Sequence, residues 1–358
     1  MKNEDNKNEK RTSMKRKSLE KQIPNKIGQM SSLNSGNRLA AFTLVVLTPL
    51  IAELALGSTP IRMAWLILLW LPIYGSGILL VREAVRRTNR SWPSIVLLGL
   101  AYELAEDGIG LQALTSPHLY GAADWGARIL GLNFPYWEAN AMYHIIFSSV
   151  IPIFLTDLLF PSHRNFPYLK KTGMITTGIV AIFGVVILRI TVPPTQDPGY
   201  TAPLPVIICF TIAILILSFI ALKVIPPQKP MPYTANSVPP IWLLSIIGFF
   251  GVIFLLALTF PFGSAKQPGF TKGLWVLLPM ILALILASSM YLIIKYWSKS
   301  IKWTNVHALS LIGGACVGHT VAGIFVANTY VDRIGLIIIA ILTTVLLFLL
   351  GQRIQRSN

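Results

Sequence analysis

The chain has 358 residues, of which 54% are hydrophobic and 12% are charged, and its formal net charge is +16. A soluble domain carries about 25% charged residues, and the apolar runs that recur along this chain are long enough to cross a bilayer, so the composition excludes a soluble globular protein. The basic residues are concentrated in the first 38 residues and in short segments between apolar runs. That distribution is typical of a membrane topology signal, and we expect no nucleic-acid partner.

The first 38 residues contain ten Lys and Arg residues against four acidic ones and show no hydrophobic periodicity. Such a segment buries too little apolar surface to offset its ordering entropy. We predict that residues 1–38 form a disordered basic cytoplasmic tail, which can lie on anionic lipid headgroups. The first apolar run begins near Leu39, which is too late for the hydrophobic region of a signal peptide.

Ten apolar runs follow, each long enough to form one membrane-spanning helix. They cover roughly residues 40–59, 63–81, 94–114, 141–160, 173–190, 203–224, 241–260, 273–295, 305–327 and 332–351. In the first run, the pair Thr48-Pro49 predicts a kink, because proline cannot donate its helical hydrogen bond. The fold class predicted from these runs is all-α, a polytopic transmembrane helical bundle of about ten spans.

Proline-rich and aromatic segments divide this bundle. The predicted organisation is a six-span bundle over 39–224 with an outer interfacial segment at 115–140, a Pro-rich cytoplasmic linker at 225–240, a four-span bundle over 241–351, and a cytoplasmic C-terminus at 352–358. Amphipathic aromatic side chains such as Trp125 and Trp137 favour the membrane interface. We therefore expect residues 115–140 to lie along the membrane as a cap.

The orientation follows from the Lys and Arg residues of the connecting segments. If the basic tail is cytoplasmic, every second connection is cytoplasmic as well, and the 30 basic residues divide 24 to 6 in favour of that side. The alternation holds loop by loop only if the third run crosses the membrane. We predict a multi-pass protein of the cytoplasmic (plasma) membrane with both termini in the cytoplasm.

The third run carries three carboxylates, Glu103, Glu106 and Asp107, on one side of a helix. On insertion scales these cost roughly 7–10 kcal/mol, against about 4 kcal/mol gained from the run's Leu, Ile and Val residues. A lipid-exposed third helix is therefore unstable. The segment must be surrounded by other helices, have protonated acids, or face a polar cavity.

Counting crossings from the tail places further ionisable residues in the same outer half of the membrane. The candidate site residues for a substrate or ion are Glu53, Glu103, Glu106, Asp107, His144 and His319, with Asn140 as a helper one turn before His144. Glu, Asp and His at one depth can bind a metal ion, relay protons or hold a cationic solute. The alternative interpretation is a buried hydrogen-bond network that holds helices together.

An arginine-rich stretch, "VREAVRRTNRSW" (81–92), follows the second run. Its four arginines, Arg82, Arg86, Arg87 and Arg90, are candidates for contact with anionic lipid or phosphate on the cytoplasmic side. The other interpretation is a topology anchor, in which Glu83 and Arg87 form an i,i+4 ion pair. Asp157, near the cytoplasmic end of the fourth run, is a possible partner for a basic neighbour.

The leading functional hypothesis is a transporter-like membrane protein that handles protons, cations or a cationic solute in the acidic cluster. The first alternative is an intramembrane metal-dependent enzyme of hydrolase type, whose ligands would come from Glu103, Glu106, Asp107, His144 and His319. The second is a membrane scaffold in which the cluster is an internal strut. The chain has no His-Glu-x-x-His, Gly-x-Ser-x-Gly or nucleotide-binding motif, so the sequence favours no enzyme class and indicates no cofactor.

Overall fold

The computed structural model describes residues 37–124, 126–227, 233–260 and 273–357. The predicted basic tail lies outside these residues except at its end, as does the centre of the predicted Pro-rich linker. Besides two short 3-10 helices, Leu119–Asp124 and Pro161–His163, ten main helices lie within the described residues. They are α1 (Arg38–Pro49, continued by Leu50–Leu54), α2 (Ile61–Arg87), α3 (Trp92–Glu103, continued by Leu104–Gly110), α4 (Phe134–Leu159), α5 (Lys171–Gln196), α6 (Leu204–Val224), α7 (Ile241–Thr259), α8 (Gly273–Trp297), α9 (Asn305–Val326) and α10 (Tyr330–Ser357).

The predicted all-α, polytopic architecture is confirmed. Among the described residues, eight helices are long and apolar enough to cross a membrane, namely α2 and α4–α10. The helix α1 is short, and α3 carries the three carboxylates. The count of ten crossings therefore stays a prediction, although each predicted run corresponds to one helix.

Successive helices run in alternating directions between two ends of the bundle. One end, here the arginine end, contains the C-terminal part of α2 with Arg82, Arg86 and Arg87, and Arg90 just after it. The start of α1 is also there, because the Asn37 amide donates to the Tyr168 carbonyl at 2.9 Å. At the opposite end, Arg62 at the start of α2 pairs with Asp332 at the start of α10.

The opposite end contains a short β-hairpin and is called the hairpin end. Its strands are β1 (Arg128–Ile129) and β2 (Leu132–Asn133), paired antiparallel with Arg128 opposite Asn133. The side chain of Asn133 then caps α4 by accepting a hydrogen bond from the Tyr136 amide at 3.1 Å. The helix α4 consequently begins about two turns earlier than the sequence run that predicted it.

Two apolar cores hold the helices together, and α4 belongs to both. The first core joins α1 to α6, and the second joins α4 to α7, α9 and α10. The helices α5, α6, α8 and α10 keep most of their apolar residues exposed, whereas two thirds of the apolar window of α4 is buried. The exposed helices face lipid, and α4 is a central element of the fold.

Close backbone contact joins α9 to α7. A Cβ added at Gly314 would lie 1.9 Å from the Ser245 carbonyl oxygen, and one added at Gly318 would lie 2.6 Å from the Phe249 carbonyl oxygen. The spacing of these glycines is the small-xxx-small pattern that lets membrane helices approach each other. The small residues of "LIGGACVG" predicted this approach.

Candidate functional site

Four helices change locally from α to π geometry on the hairpin-end side of the described bundle. The π-helical turns are Leu50–Leu54 in α1, Leu71–Gly75 in α2, Leu104–Gly110 in α3 and His144–Val150 in α4. One of them follows Pro49, one contains Pro72, and one ends two residues before Pro152, and proline lacks the amide hydrogen that an α-helical bond needs. Such turns occur frequently at functional sites because they reorient side chains.

The first turn shows how the sequence produces this geometry. Pro49 cannot donate to the Val45 carbonyl, and Gly75 of α2 packs against that carbonyl so closely that a Cβ would lie 2.5 Å from it. The Ala55 amide then bonds to the Leu50 carbonyl, five residues earlier, at 2.9 Å. The predicted disturbance at Thr48-Pro49 is thus present as a π-helical turn.

The four π-helical turns bring ionisable side chains together. His144 of α4 lies between two carboxylates of α3: its Nδ1 is 3.5 Å from Glu106 Oε2, and its Nε2 is 3.5 Å from Asp107 Oδ2. The Nδ1 atom also lies 2.9 Å from Ser148 Oγ. All three ionisable side chains are buried. If both ring nitrogens carry a proton, the imidazolium faces one carboxylate on each side.

Tyr74 of α2 connects this group to Glu53 of α1. Its hydroxyl donates to Glu53 Oε1 at 2.6 Å, and its ring centroid lies 6.0 Å from that of His144. The second oxygen of Glu53 accepts from Thr59 Oγ1 at 2.9 Å, and Thr59 in turn accepts from Trp70 Nε1 at 3.0 Å. Glu53 therefore has a hydrogen-bond partner for each carboxylate oxygen.

Glu103 lies one turn before Asp107 on α3. Trp137 of α4 donates its Nε1 hydrogen to Glu103 Oε2 at 3.1 Å, so a residue of the predicted 115–140 cap contacts the acidic cluster. Asn140, the predicted helper, instead donates to the Tyr136 carbonyl of its own helix at 2.9 Å. The structure shows no contact of Asn140 with the acids among the described residues.

Several buried polar atoms of this cluster have no hydrogen-bond partner among the described residues. They are Glu103 Oε1, Glu106 Oε2, Asp107 Oδ2 and the Tyr102 hydroxyl oxygen. Glu103, Glu106 and Asp107 are each at most 2% exposed. Buried carboxylates without partners are rare and costly, so protons or a cation must compensate part of this negative charge. We call Glu53, Tyr74, Glu103, Glu106, Asp107 and His144 the carboxylate–histidine site.

His319 is at the predicted depth but on the other side of α4. Its ring stacks on Phe147 with 3.9 Å between centroids, and its Nε2 lies 3.0 Å from the Tyr143 hydroxyl. That hydroxyl donates its own hydrogen to the Ala52 carbonyl, so His319 is the donor at Nε2. Its Nδ1 has no partner among the described residues. The predicted site residues that converge are Glu53, Glu103, Glu106, Asp107 and His144, and His319 is separated from them by α4.

Tyrosines were the functional side chains that the sequence interpretation missed. Tyr74 binds Glu53, Tyr143 binds His319, and the ring of Tyr102 lies 5.9 Å from that of His144. Each tyrosine lies inside an apolar run, where a hydroxyl needs a polar partner. The sequence signal that could have identified them is the presence of tyrosines in the apolar runs at the same predicted depth as the acids.

A metal-binding arrangement is not formed in the described part of the chain. No group of three or more His, Cys, Asp and Glu side chains is placed there to hold one metal ion. His144 lies between the two carboxylates, in the position that a metal ion shared by them would occupy. The geometry suits exchange of a proton or binding of a single positive charge better than a preformed metal site.

A family model described as "Uncharacterized membrane protein family" matches residues 42–348. That range covers most of the chain and runs from α1 into α10. The chain belongs to this membrane protein family. No curated protein and no solved structure gave a match in the same comparisons. The matched range includes every residue of the carboxylate–histidine site.

In this member of the family, the arginine end is closed by a buried ion network. Arg82 is fully buried, and its Nε and Nη2 atoms donate to Asp157 Oδ1 at 3.0 and 2.8 Å. Its other hydrogens go to the carbonyls of His163, Arg164 and Phe166. Arg86 donates to the second oxygen of Asp157 at 2.7 Å. The predicted pairing of Asp157 with a basic neighbour is thus observed.

Glu83 and Tyr168 complete this network. Glu83 accepts the amides of Tyr168 and Leu169 at 2.6 and 3.1 Å and pairs with Arg87 at 3.3 Å, as the i,i+4 spacing predicted. The Tyr168 hydroxyl donates to Asp157 Oδ1 at 2.9 Å, and the Arg82 guanidinium lies over the Tyr168 ring. Burial and the Asp157 carboxylate raise the pKa of Tyr168, which keeps this donor protonated.

The network changes the interpretation of the four arginines. Arg82 is fully buried and bonded inside the protein, and Arg90 donates to the carbonyls of Leu222 and Ile225 at the end of α6. Contact with anionic lipid or phosphate stays a prediction for the four arginines, and the buried guanidinium of Arg82 does not reach the surface in this structure. The helical anchor is the interpretation that these contacts match.

Proposed function

We propose that the protein is a membrane transporter that moves protons, a cation or a cationic solute through the carboxylate–histidine site. The supporting observation is the convergence of four π-helical turns on buried carboxylates and on one imidazole between two of them. Glu103, Glu106 and Asp107 each have one oxygen without a hydrogen bond in the described chain. Intramembrane ionisable residues at such cost mark ion pathways and substrate sites. A structural network would leave fewer oxygens unpaired.

The burial of Glu103, Glu106, Asp107 and His144 supports a site that is closed to solution in this conformation. The Arg82–Asp157 network lies toward the arginine end, and Trp137 contacts the site from α4. A transporter must expose its site to each side in turn, which requires at least one further conformation. The conformation described here corresponds to the occluded state of such a cycle.

The proposed orientation places the arginine end in the cytoplasm of a plasma membrane and the carboxylate–histidine site in the outer half of the bilayer. Its support is the 24 to 6 division of the basic residues in the sequence. Both termini are then cytoplasmic, and anionic headgroups lie beside the basic tail.

The transport proposal is tested in proteoliposomes that contain the purified full chain and a trapped pH-sensitive dye. Gradients of Na⁺, K⁺ and a quaternary ammonium ion are imposed in turn, and we expect a protein-dependent proton or cation flux. The double variant Glu106→Gln, Asp107→Asn is expected to lose at least ten-fold in flux. A chain that carries no flux under any gradient contradicts the transport proposal.

Glu138→Gln is the matched control. Glu138 also lies on α4 near the hairpin end, and its carboxylate oxygens have no partner among the described residues, but it forms no contact with His144 there. Flux in this variant should equal that of the parent chain. If the double variant transports as well as the Glu138 variant, the carboxylate–histidine site is not the transport site.

The same preparation separates the two alternatives. A metal-dependent enzyme would carry stoichiometric zinc that disappears in a His144 variant, as measured by elemental analysis. A scaffold would lose accumulation of the folded chain when the acids are replaced, because its acids would act as a strut.

A further inference from the structure

A groove opens toward the lipid between α7, α9 and α10. Its volume is about 480 Å³, and its walls are mainly apolar, with Phe249, Phe250, Leu309, Val317 and Phe348 among them. None of the carboxylate–histidine residues lines it. The groove is therefore separate from the proposed transport site and requires its own occupant.

The length of the groove corresponds to one leaflet of a bilayer. Along α7 it runs from Ile241 to Phe250, and along α10 from Gln355 back to Thr344. At 1.5 Å per residue, these stretches measure about 14–17 Å. The hydrocarbon core of a bilayer is about 30 Å thick, so the groove extends from the arginine end to mid-membrane.

The open end of the groove is polar and basic. Gln352 and Gln355 line it, and Arg356 lies in the last turn of α10. Lys302 is exposed just before α9 begins. In the sequence from 301 to 358 the one acidic residue is Asp332, which lies at the hairpin end. Neither basic residue lines the groove, but Arg356 follows the lining residue Gln355 and Lys302 precedes the lining residue Val306 by four positions, so the charge near this end is basic.

Tryptophans mark the level of the membrane interface at this rim. Trp242 is exposed at the start of α7, and Trp303 stacks between Trp297 and His307 at the start of α9. Tryptophan is enriched at the headgroup level of membrane proteins. The rim therefore lies at the depth of lipid phosphates, and the groove below it lies at the depth of acyl chains.

We propose that this groove binds one anionic phospholipid of the leaflet at the arginine end. One acyl chain lies along α7, α9 and α10, and the phosphate lies beside Lys302 and Arg356 and accepts hydrogen bonds from the glutamine amides. The length and the apolar walls of the groove match an acyl chain, and the basic residues near its open end match the phosphate. The proposal does not depend on transport.

One glycine allows the groove to be filled by substitution, and a second glycine elsewhere provides a control. A Cβ at Gly351 would meet Leu309 at 3.7 Å, an ordinary contact, so Gly351→Leu can extend into the groove without a backbone clash. Gly178 of α5 has no atom within 4 Å of an added Cβ and serves as the matched control on a lipid-facing helix.

The test uses the full chain in vesicles of phosphatidylcholine with 5% phosphatidylglycerol that carries a diazirine in its acyl chain. After irradiation, mass spectrometry should locate the label on Phe249, Phe250, Phe348 and their neighbours. We expect Gly351→Leu to lower groove labelling at least five-fold and Gly178→Leu to leave it unchanged. Label spread evenly over α5, α6 and α8 in the parent chain overturns the proposal, whether or not the variants fold.

A second arm tests the headgroup. Diazirine-labelled phosphatidylcholine should label the groove at least three-fold less than phosphatidylglycerol, and the double variant Lys302→Gln, Arg356→Gln should remove that difference. Equal labelling by both lipids in the parent chain contradicts the anionic preference. A disulfide between two copies of a Phe348→Cys variant would assign the groove to a second chain and also overturn the proposal.

Discussion

At the scale of single residues, the position of a carboxylate in the bundle decides what its charge does. Asp157 accepts hydrogen bonds from Arg82 and Arg86, so its charge is matched by its neighbours. Glu106 Oε2 and Asp107 Oδ2 each lie 3.5 Å from a nitrogen of one imidazole and have no hydrogen bond within the described chain. The first arrangement stabilises the fold, and the second leaves the site ready to bind positive charge.

The variant Asp157→Asn tests the stabilising arrangement. It removes the charge that Arg82 and Arg86 share and leaves, among the described residues, only Glu83, 3.5 Å from Arg82, beside these buried guanidinium groups; breaking a buried pair in this way costs about 3–5 kcal/mol. The control is Asp332→Asn, because the partner of Asp332, Arg62, has a side chain that is 47% exposed, and such pairs contribute about 1 kcal/mol or less. Thermal unfolding followed by size-exclusion chromatography should show the larger decrease for Asp157→Asn. Equal decreases would contradict the structural role of the network.

Replacing acids of the carboxylate–histidine site should have the opposite effect on stability. Glu106→Gln and Asp107→Asn remove buried charge that the described residues do not fully compensate, so the unfolding temperature should stay equal or rise while transport is lost. Folded yield and unfolding temperature are measured on the same samples as flux. Failure of these variants to accumulate would favour the internal strut instead.

At the scale of helices, the positions of the elements followed from the sequence, but their local geometry did not. Every predicted apolar run corresponds to a helix, because bilayer thickness fixes how many apolar residues a span needs. The four π-helical turns were not predictable in this way. Proline at positions 49, 72 and 152 removes an amide hydrogen, but packing against neighbours decides how the helix reorganises.

The candidate site was predictable in depth and not in its lateral arrangement. Topology places His144 and His319 in the same half of the membrane. Whether His319 of α9 lies on the same side of α4 as the His144 side chain depends on close contacts between helices, such as that between Gly314 and Ser245. The periodicity of one sequence does not reveal such contacts. In the structure Glu53, Glu106 and His144 lie around Tyr74, whereas His319 lies against Tyr143 and Phe147, and the role of these residues stays a prediction.

The contact between α7 and α9 gives a prediction for an element. Gly314→Val would place carbon 1.9 Å from the Ser245 carbonyl, so the two helices must separate, at a cost of about 3 kcal/mol or more. Gly178→Val, in open space on α5, is the control. Fluorescence-detected gel filtration should show loss of the monodisperse peak for Gly314→Val alone. A monodisperse, equally stable Gly314 variant would show that the helices are not in this contact.

At the scale of the whole molecule, the orientation can be tested with two cysteines. The native Cys209 and Cys316 are first replaced by serine, and Gln196→Cys or Ile301→Cys is added, both at exposed positions in connections at opposite ends. A membrane-impermeant maleimide should label Gln196→Cys on intact cells and Ile301→Cys only after lysis. The reverse pattern would place the arginine end outside and invert the proposed membrane orientation.

The helix α4 packs in both apolar cores, and this arrangement links two parts of the molecule. Tyr143 and His144 are adjacent in sequence and therefore point about 100° apart around the helix axis. Tyr143 is attached to His319 of α9, and His144 is inserted between the acids of α3. The same helix therefore connects the His319 contact with the acids of α3, and a rotation of α4 about its axis would move both side chains together.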